Sequence, residues 1–329
     1  MPRLRNTLLG SAIAAGLATA AAAQDRTPLV LFVGAAPIYD SIWMAEAEGY
    51  FGEEGLAVDH RLFPSGTTAL QTFITGQGDL ITNGELPGVN HWINAQRDYR
   101  VISVIERGSV NYIIAANRSI TSPADLAGKR IATRVGSTGS WFISEYLAGN
   151  DVDASTVEIL NLDTQVLPTA LCGGDIDAFF IWQPFGARAM EICPDRVHIL
   201  DTAEGYMNGY AVLAARPAWL ETEAGAAQAT SFIRAMLRGR DVAEADFDKV
   251  AAYANRQFSL SADAIRDQWA TNGRHIGLDE TFMSDHCALA AWMRDNGLMD
   301  GLFDISEYVW TEGLEAIDPA LVAEIPDPC

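Results

Sequence analysis

The chain has 329 residues, of which 49% are hydrophobic, and a formal net charge of -21. A chain of this length can bury a large core and suggests two domains. Such an acidic protein disfavours nucleic acid and anionic membrane surfaces as partners, although a local group of backbone N–H donors can still bind a small anion. We therefore expect a small-molecule ligand and no nucleic acid.

The N-terminus has the pattern of a secretory signal peptide over residues 1–23. Arg3 and Arg5 precede an apolar and small-residue run at 7–17, and three alanines at 21–23 stand before Gln24. A positive start, an apolar run and a small-residue cleavage site are the parts of such a peptide. The apolar run is shorter than the roughly 20 residues of a transmembrane helix, and no later run reaches that length. We expect a soluble periplasmic protein that begins near Gln24 and has no stable membrane insertion.

Strand and helix patterns alternate between residues 29 and 214. Ser65 stands where a helix N-cap belongs, Gly76 lies just past a helix end, and Pro123 fits a first helical turn. Repeated alternation predicts an α/β fold with parallel sheets that are covered by helices on both faces. The predicted strands cover residues 29–33, 56–62, 79–82, 101–105, 112–116, 129–133, 157–162, 178–182, 197–200 and 210–214.

Residues 217–300 are helical in pattern, which changes the character of the chain after Pro217. We interpret the whole as two α/β lobes with a ligand cleft between them. Lobe 1 would comprise residues 24–110 and 214–329, and lobe 2 residues 111–213. The C-terminal helices would pack back on lobe 1, and the chain would cross between lobes near 109–111 and 210–214.

Four cysteines remain in the exported chain, an even number in an oxidising compartment. Three pairings are formally possible. Proximity in sequence favours Cys172 with Cys193, and Cys287 with Cys329, which would hold the C-terminal tail. The cysteines have no CxxC spacing and no closely spaced histidine pair beside them, so we expect disulfides and no metal site.

The sequence carries no motif of a catalytic or cofactor site. The pair Gly128 and Lys129 lacks the preceding glycine of a phosphate-binding loop, and Gly76 and Gly78 lack the third glycine of a dinucleotide fingerprint. Ser137 lacks the first glycine of a nucleophile elbow. The five histidines are scattered without ligand spacing. We expect a binding protein without a cofactor rather than an enzyme.

Three glycine-containing turns follow strand-like runs and precede helical ones. They are Ser65 with Gly66, residues 83–87, and the stretch "RVGSTGSW" at 134–141. Each turn leaves backbone N–H groups unpaired at the positive end of a helix, which suits an anionic or strongly polar group. The alternative is that each glycine only makes a turn. Because ligands of open α/β sheets lie outside the carboxyl ends of strands, the three turns could converge on one cleft.

Two carboxylates and several aromatic residues fall at the same strand ends. Asp40 and Glu85 would favour an ammonium group if they face the cleft; alternatively, Asp40 caps a helix that begins at Ser41 and Glu85 is solvated. The aromatic rings could form the walls of a small-ligand pocket, or pack in the core, as is favoured for Trp92. The aromatic residues at these positions are Tyr39, Trp43, Trp92, Trp141, Trp182 and Tyr210.

Five blocks of the sequence, taken in order, resemble a known family. They are "GYFGEEGLAVD", "FPSGTTALQTFITGQGDL", "SPADLAGKRIAT", "GSTGSWF" and "GDIDAFFIWQP". The chain resembles the periplasmic substrate-binding proteins of ABC importers for taurine, alkanesulfonates and nitrate, a group related to thiamine-pyrimidine-precursor binders. The resemblance implies a type II periplasmic-binding fold, a monomer, hinge closure on a small molecule, and delivery to a permease and its ATPase.

The resemblance, together with the turns and aromatic residues, gives twelve candidate ligand-binding residues. Two departures leave the ligand open, since Ala211 stands where taurine binders carry an aspartate for the amine, and Glu85 where they carry a small hydroxyl residue. A taurine-like sulfonate, another amine and a heterocycle are the alternatives, and an enzyme related to pyrimidine synthesis is the rival function. The candidates are Tyr39, Asp40, Trp43, Ser65, Gly84, Glu85, Ser137, Thr138, Trp141, Trp182, Asn208 and Tyr210.

Overall fold

A computed structural model describes residues 28–94, 97–271 and 273–329. The predicted signal peptide at 1–23 lies outside the described residues. Within them the chain forms a mixed α/β structure whose strands fall within a few residues of the predicted runs. The strands are β1 Leu29–Gly34, β2 Val58–Phe63, β3 Leu80–Gly84, β4 Arg100–Gly108, β5 Tyr112–Asn117, β6 Arg130–Thr133, β7 Glu158–Asn161, β8 Ala178–Trp182, β9 Val197–Thr202 and β10 Gly209–Ala215.

Helices separate most of the strands and fill the C-terminal part. Short 3-10 helices lie at Pro37–Tyr39, Pro123–Leu126, Ala154–Thr156 and Pro319–Leu321. The α-helices are α1 Asp40–Ala47, α2 Tyr50–Glu53, α3 Gly66–Phe73, α4 Glu85–Asn94, α5 Thr138–Gly149, α6 Leu167–Gly173, α7 Phe185–Ile192, α8 Pro217–Leu220, α9 Glu223–Ala245, α10 Phe247–Phe258, α11 Ala262–Thr271, α12 Glu280–Asp295, α13 Ile305–Tyr308 and α14 Glu312–Glu315.

The strands form two five-stranded sheets, in the orders β2-β1-β3-β10-β4 and β7-β6-β8-β5-β9. The strands β1, β2 and β3 are parallel, but β10 is antiparallel to both β3 and β4. In the second sheet, β6 is parallel to β7 and β8, whereas β5 is antiparallel to β8 and β9. The prediction of wholly parallel sheets was therefore wrong. The chain passes into the second sheet at β5 and returns to the first sheet at β10. Both of these strands are antiparallel to their neighbours.

The return crossing between the sheets lies earlier than the sequence predicted. We expected residues 111–213 in the second lobe, but β10 pairs with β3 and β4 from Gly209 onward. Residues 203–208 therefore form the return connection. The run 209–215 is continuously buried, so its hydrophobic pattern does not mark a lobe boundary.

The C-terminal helices pack on the first sheet's lobe, as expected. The helix α9 crosses α1 closely at Gly239, where an ideal Cβ would lie 2.0 Å from the backbone oxygen of Ser41. Any side chain at this position would separate the two helices. Further along the chain, the N–H of Trp310 donates a hydrogen bond to the carbonyl of Val101 in β4 (2.8 Å). The C-terminal region therefore stabilises the lobe that begins the chain.

Both disulfides have the predicted pairing. Cys172 bonds to Cys193, with Cα atoms 5.9 Å apart, and so ties α6 to the end of α7. Cys287 bonds to Cys329, with Cα atoms 5.6 Å apart, and so ties α12 to the last residue of the chain. None of the helices in the described ranges is both long and apolar enough to cross a bilayer.

We expect the double change Cys287→Ser/Cys329→Ser to lower the free energy of unfolding by about 2 to 4 kcal/mol. The bond closes a loop with a sequence separation of 42, which restricts the unfolded chain. Urea titration of the oxidised wild type and of the double variant Cys287→Ser/Cys329→Ser measures the effect. Equal midpoints would show that this bond does not stabilise the fold.

Candidate functional site

A cleft between the two sheets is lined by residues of both lobes. The first lobe contributes the ends of β1 and β3 and the start of α3; the second contributes the end of β8 and the starts of β5 and α5. Open α/β sheets bind ligands beyond the carboxyl ends of their strands, so the cleft lies where such a site is expected. The lining residues are Gly34, Ala35, Ala36, Ile38, Tyr39, Pro64, Ser65, Gly66, Thr67, Gly84, Pro87, Tyr112, Ser137, Thr138, Trp182, Phe185, Tyr210 and Ala211.

Five aromatic rings form much of the wall of the cleft: Tyr39, Tyr112, Trp182, Phe185 and Tyr210. Trp182 is half-buried, and the other four are buried. The rings of Trp182 and Phe185 meet edge to face, with centroids 6.4 Å apart. Such a wall offers apolar ring surface to a small organic ligand, while the phenol groups add polar contacts.

Two helix N-termini, one from each lobe, open on the cleft. Ser65 caps α3 by accepting a hydrogen bond from the N–H of Thr68 (3.2 Å), and Ser137 caps α5 by accepting one from the N–H of Gly139 (3.2 Å). The earlier N–H groups, of Gly66, Thr67 and Thr138, precede the first intrahelical bonds of their helices. These groups lie at the positive ends of the two helix dipoles and suit an anionic group.

A hydroxyl group and a close backbone approach add to this polar region. Thr67 has a buried Oγ1 with no hydrogen-bond partner among the described residues. At Gly84, an ideal Cβ would lie 2.6 Å from Oγ1 of Thr138, so the absence of a side chain lets α5 of the second lobe approach the end of β3. The lobes therefore touch beside the cleft through Gly84 and Thr138.

Glu85, the first residue of α4, lies buried next to the cleft but is not one of its lining residues. Its Oε2 accepts a hydrogen bond from the N–H of Tyr210 (3.0 Å), whereas its Oε1 is buried without a partner of hydrogen-bond geometry in the described part of the chain. Burial raises the pKa of Glu85 to about 7, although hydrogen bonds from backbone N–H groups and from the Thr138 hydroxyl lower it. This carboxyl is therefore partly protonated near neutral pH.

Glu106, in β4, is a second fully buried acid in this region. Its Oε1 accepts a hydrogen bond from the Asn111 side-chain amide (2.9 Å); its Oε2 has no partner of full hydrogen-bond geometry among the described residues, although the backbone N–H of Gly273 lies close enough to the carboxyl to lower its pKa. Burial raises the pKa of Glu106 to about 8; the Asn111 amide lowers it, and the charges of Asp40 and Glu85 raise it further. None of the described residues that line the cleft is charged.

Seven of the twelve predicted residues lie together in the lining of the cleft. Their positions follow from the local structure that the sequence indicated: strand ends, helix caps and the turns between them. The glycine turns at 65–66, 83–87 and 136–139 do converge, as the argument from strand ends predicted. The seven are Tyr39, Ser65, Gly84, Ser137, Thr138, Trp182 and Tyr210.

Three predicted residues lie in the first lobe outside this lining, for different reasons. Glu85 is turned toward the backbone of Tyr210, as described above. Asp40 is buried and pairs with Arg274, whose Nη2 lies 2.7 Å from Oδ2. Trp43 packs in the core, where its ring stacks on Tyr253 with centroids 5.7 Å apart. The hypothesis of a carboxylate at Asp40 facing the ligand is therefore not supported by its position.

Two further candidates, Trp141 and Asn208, face α12 rather than the cleft. The ring centroid of Trp141 lies 6.3 Å from that of Trp292, and the side-chain amide of Asn208 donates to Asp285 (2.9 Å). These contacts join the second lobe to a helix of the first. Sequence spacing did not predict these contacts because the residues lie far apart in the chain. The Asn208 bond to Asp285 spans 77 positions, and the nearby bond from Trp292 to Ser144 spans 148.

The sequence did not point to three residues in or beside the cleft. Tyr112 and Phe185 line it, and Glu106 is a buried acid nearby. Tyr112 begins the first strand after the crossing, and Phe185 begins α7 just after Trp182, so an aromatic residue at each lobe entry was the available signal. Glu106 ends a buried, mainly apolar run in β4 and could be found only from its burial. Among the described residues, no group of histidine, cysteine and acidic side chains has the arrangement of a metal site.

Comparison with known proteins places the chain in a family. The family described as NMT1/THI5 like matches residues 37–249, which is more than half of the chain. The chain belongs to this family. The matched region includes β3, β5, β8 and the starts of α3 and α5, which line the cleft, whereas β1 precedes it.

Two relatives of this NMT1/THI5-like chain match over shorter segments. The taurine-binding periplasmic protein of Escherichia coli is 29% identical over 142 residues, which are 43% of this chain and 44% of that protein. A binding protein of Brucella abortus is 26% identical over 156 residues, 47% of this chain and 48% of that protein. The chain thus spans about half the length of these relatives.

Solved structures show the same fold. The alkanesulfonate-binding protein SsuA of Xanthomonas axonopodis pv. citri, bound to MOPS, has a TM-score of 0.75 and 18% identity, and the alignment covers 87% of this chain and 99% of that one. The desulfurization enzyme DSZB has a TM-score of 0.65 and 14% identity, with 87% and 98% covered. The chain therefore has the periplasmic-binding-protein fold, the α/β fold that the sequence predicted. The fold also occurs in an enzyme.

Proposed function

We propose that the chain is the extracytoplasmic solute-binding component of an ABC importer and that it captures a small organic acid of the taurine or sulfonate kind. The observation that carries the proposal is the cleft itself, where the N-termini of α3 and α5 meet an aromatic wall and where none of the described lining residues is charged. Helix N-termini can bind an acidic group without a cationic side chain. The names of the Escherichia coli and Xanthomonas proteins support the ligand class.

Ligand capture would proceed by closure of the two lobes about the connections near Ser109 and at 203–208. Contacts between the lobes are already present: the Thr164 hydroxyl donates to the carbonyl of Pro64 (3.2 Å), and the indole N–H of Trp292 donates to the Ser144 hydroxyl (3.3 Å). A ligand that touches both helix N-termini binds the closed state more tightly than the open one. The closed, loaded form would then deliver the ligand to a permease with its ATPase.

A thermal-shift experiment tests this function. The protein from Gln24 onward is unfolded and refolded to remove bound ligand, and is then heated with taurine, alkanesulfonates, nitrate, other amines and pyrimidine precursors. A ligand that binds only the folded state raises the melting temperature. At a ligand concentration of one hundred times its Kd, the free energy of unfolding rises by about 2.7 kcal/mol. We expect a rise with a sulfonate and recovery of that sulfonate unchanged by mass spectrometry. A rise only with non-sulfonates, or chemical conversion of the ligand, would contradict the proposal and favour the enzyme alternative.

The change Trp182→Ala is expected to weaken sulfonate binding by about tenfold or more, because ring contact within the cleft is lost. Trp182 is half-buried at the end of β8, so the fold should survive the change. The matched control is Trp219→Ala, which truncates a half-buried tryptophan of α8 that lies outside the cleft lining. Calorimetric titration measures both Kd values. An equal loss of affinity in the two variants would remove Trp182 from the site.

A further inference from the structure

A second cavity lies between the lobes and shares no lining residue with the ligand cleft. Trp141 and Asn208, which the sequence indicated as ligand residues but the cleft does not include, line it together with Glu145 on the side of the second lobe. Asp285 and Trp292 of α12 line it on the side of the first lobe. We call it the α5–α12 cavity. Its volume of about 170 Å³ is several times the roughly 30 Å³ that one water molecule occupies in the liquid, so a small organic molecule fits.

Tryptophan rings form two walls of the α5–α12 cavity. The ring centroids of Trp141 and Trp292 lie 6.3 Å apart and their planes are inclined by 49°, so that the rings meet at a corner. The indole N–H of Trp141 donates to Glu145 (3.2 Å), and that of Trp292 donates to Ser144 (3.3 Å). Tyr206 adds a third ring to the lining. Because both indole groups are held by hydrogen bonds, this aromatic surface has a fixed orientation before any ligand binds.

Each lobe contributes one carboxylate to the cavity, Glu145 from α5 and Asp285 from α12. Oδ2 of Asp285 accepts hydrogen bonds from the Asn208 amide (2.9 Å) and from the Tyr210 hydroxyl (2.7 Å). Neither carboxylate forms a salt bridge with a described residue, and none of the described lining residues is basic. Arg107, a basic residue close to the Tyr210 hydroxyl, is itself paired with the acid that caps α12 (2.8 Å).

This combination of groups favours an organic cation over a metal ion. Calcium takes about six to eight oxygen ligands, whereas much of this lining is aromatic surface. A cation over an aromatic ring is attracted by the quadrupole of the ring, and quaternary ammonium groups are recognised in this way by aromatic cages. Nearby carboxylates add Coulombic attraction.

We propose that the α5–α12 cavity is a second binding site, which takes a small quaternary or methylated ammonium ion and holds the two lobes together. A cation between Glu145 of one lobe and Asp285 of the other contacts both of them only when the lobes are closed, so it favours the closed state. Asp285 also accepts the hydroxyl of Tyr210, a residue of the cleft lining, which connects the two sites. Only the expected effect on sulfonate affinity rests on the proposed function.

Isothermal titration of the wild type with choline, and with its uncharged carbon analogue dimethylbutanol, tests the site without any variant or sulfonate. The two probes have the same shape, so a difference between them measures the contribution of the charge. We expect saturable binding of choline that is about tenfold or more tighter than that of the analogue. Absence of saturable choline binding, or equal affinity for both probes, would overturn the proposal. Failure of the sulfonate function alone would leave choline binding in place.

Substitutions assign choline binding to this cavity. Glu145→Gln keeps an acceptor for the Trp141 indole but removes a charge, and we expect it to weaken choline by about threefold or more. Trp292→Leu should weaken choline by about tenfold or more. The matched controls are Glu315→Gln, an exposed carboxylate of α14, and Trp219→Leu, a half-buried tryptophan of α8. Losses no larger than those of the controls would overturn the assignment.

Titration of ethanesulfonate in the presence of saturating choline tests the link between the two sites. If both ligands favour closure, each raises the affinity of the other by the same factor. We expect choline to tighten ethanesulfonate by about threefold or more, and ethanesulfonate to tighten choline equally. Displacement of one ligand by the other would show that choline occupies the cleft and would overturn the second site. Unchanged affinities would overturn the inference that the cation holds the lobes together.

Discussion

Replacing Asp40 by asparagine is expected to lower the free energy of unfolding by about 3 to 5 kcal/mol. The Asp40 carboxylate accepts hydrogen bonds from Nε and Nη2 of Arg274, at 2.7 to 3.0 Å. The two side chains are only 3% and 6% exposed. Loss of one partner would leave the guanidinium buried without its counter-charge, which costs far more than loss of an exposed pair. Urea titration followed by circular dichroism measures the change.

Two control variants separate the buried pair from charge in general. Glu53→Gln breaks the exposed pair between Glu53 and Arg238 and should cost less than about 1 kcal/mol. The double variant Asp40→Asn/Arg274→Met removes both charges and should recover much of the loss, because no buried charge remains. If Asp40→Asn costs no more than Glu53→Gln, the pair between Asp40 and Arg274 does not hold the C-terminal region on the first lobe.

The pairing of Asp40 with Arg274 shows what the sequence could and could not predict. Strand runs, the Ser65 cap and the glycine turns depend on a few neighbouring residues, and these features predicted the α/β fold and seven residues of the cleft. The partner of Asp40 lies 234 positions away. No local pattern connects Asp40 with Arg274. From the sequence, an acid that binds a ligand at a strand end therefore cannot be distinguished from one that pairs with a distant arginine.

The mixed sheets and the missed residues have the same cause. Whether β10 runs parallel or antiparallel to β3 depends on how the chain returns from the other lobe, which hydrophobic alternation does not record. Glu106 follows a run of buried residues in β4 and precedes the partly buried Arg107, and its position opposite Ala211 became visible only from the register of the strands. Residues whose position depends on strand order could therefore not be predicted. Residues whose position depends on a local turn or helix cap could be.

The ligand-free protein is expected to lose stability as the pH rises from about 6.5 to about 8.5. Burial raises the pKa of Glu106 to about 8 and that of Glu85 to about 7, both above the unfolded value of 4.5. The folded state therefore binds more protons than the unfolded state between these values. Stability from each group is complete below 4.5 and is lost as the pH rises through the folded pKa. At 1.36 kcal/mol per pKa unit, Glu106 alone accounts for about 2 kcal/mol over this range.

The lower limit of this range is set by the histidines. Burial lowers the pKa of His60 and of His286 to about 4 and also lowers the pKa of His91 and His275. Each of them binds fewer protons when folded, so its effect on stability has the opposite sign and is confined to pH values below about 6.5. Well above this value these four histidines are largely neutral in both states, so the two buried acids dominate the slope.

The variant Glu106→Gln should flatten the pH dependence, because glutamine has no proton to lose. Urea unfolding of the wild type, Glu106→Gln and the exposed control Glu315→Gln at about pH 6.5 and about pH 8.5 gives the slopes directly. We expect the wild type and the control to fall together and Glu106→Gln to fall less, by about the 2 kcal/mol assigned to this carboxyl. A wild type as stable at the higher pH as at the lower one would show that both acids are ionised in the ligand-free fold.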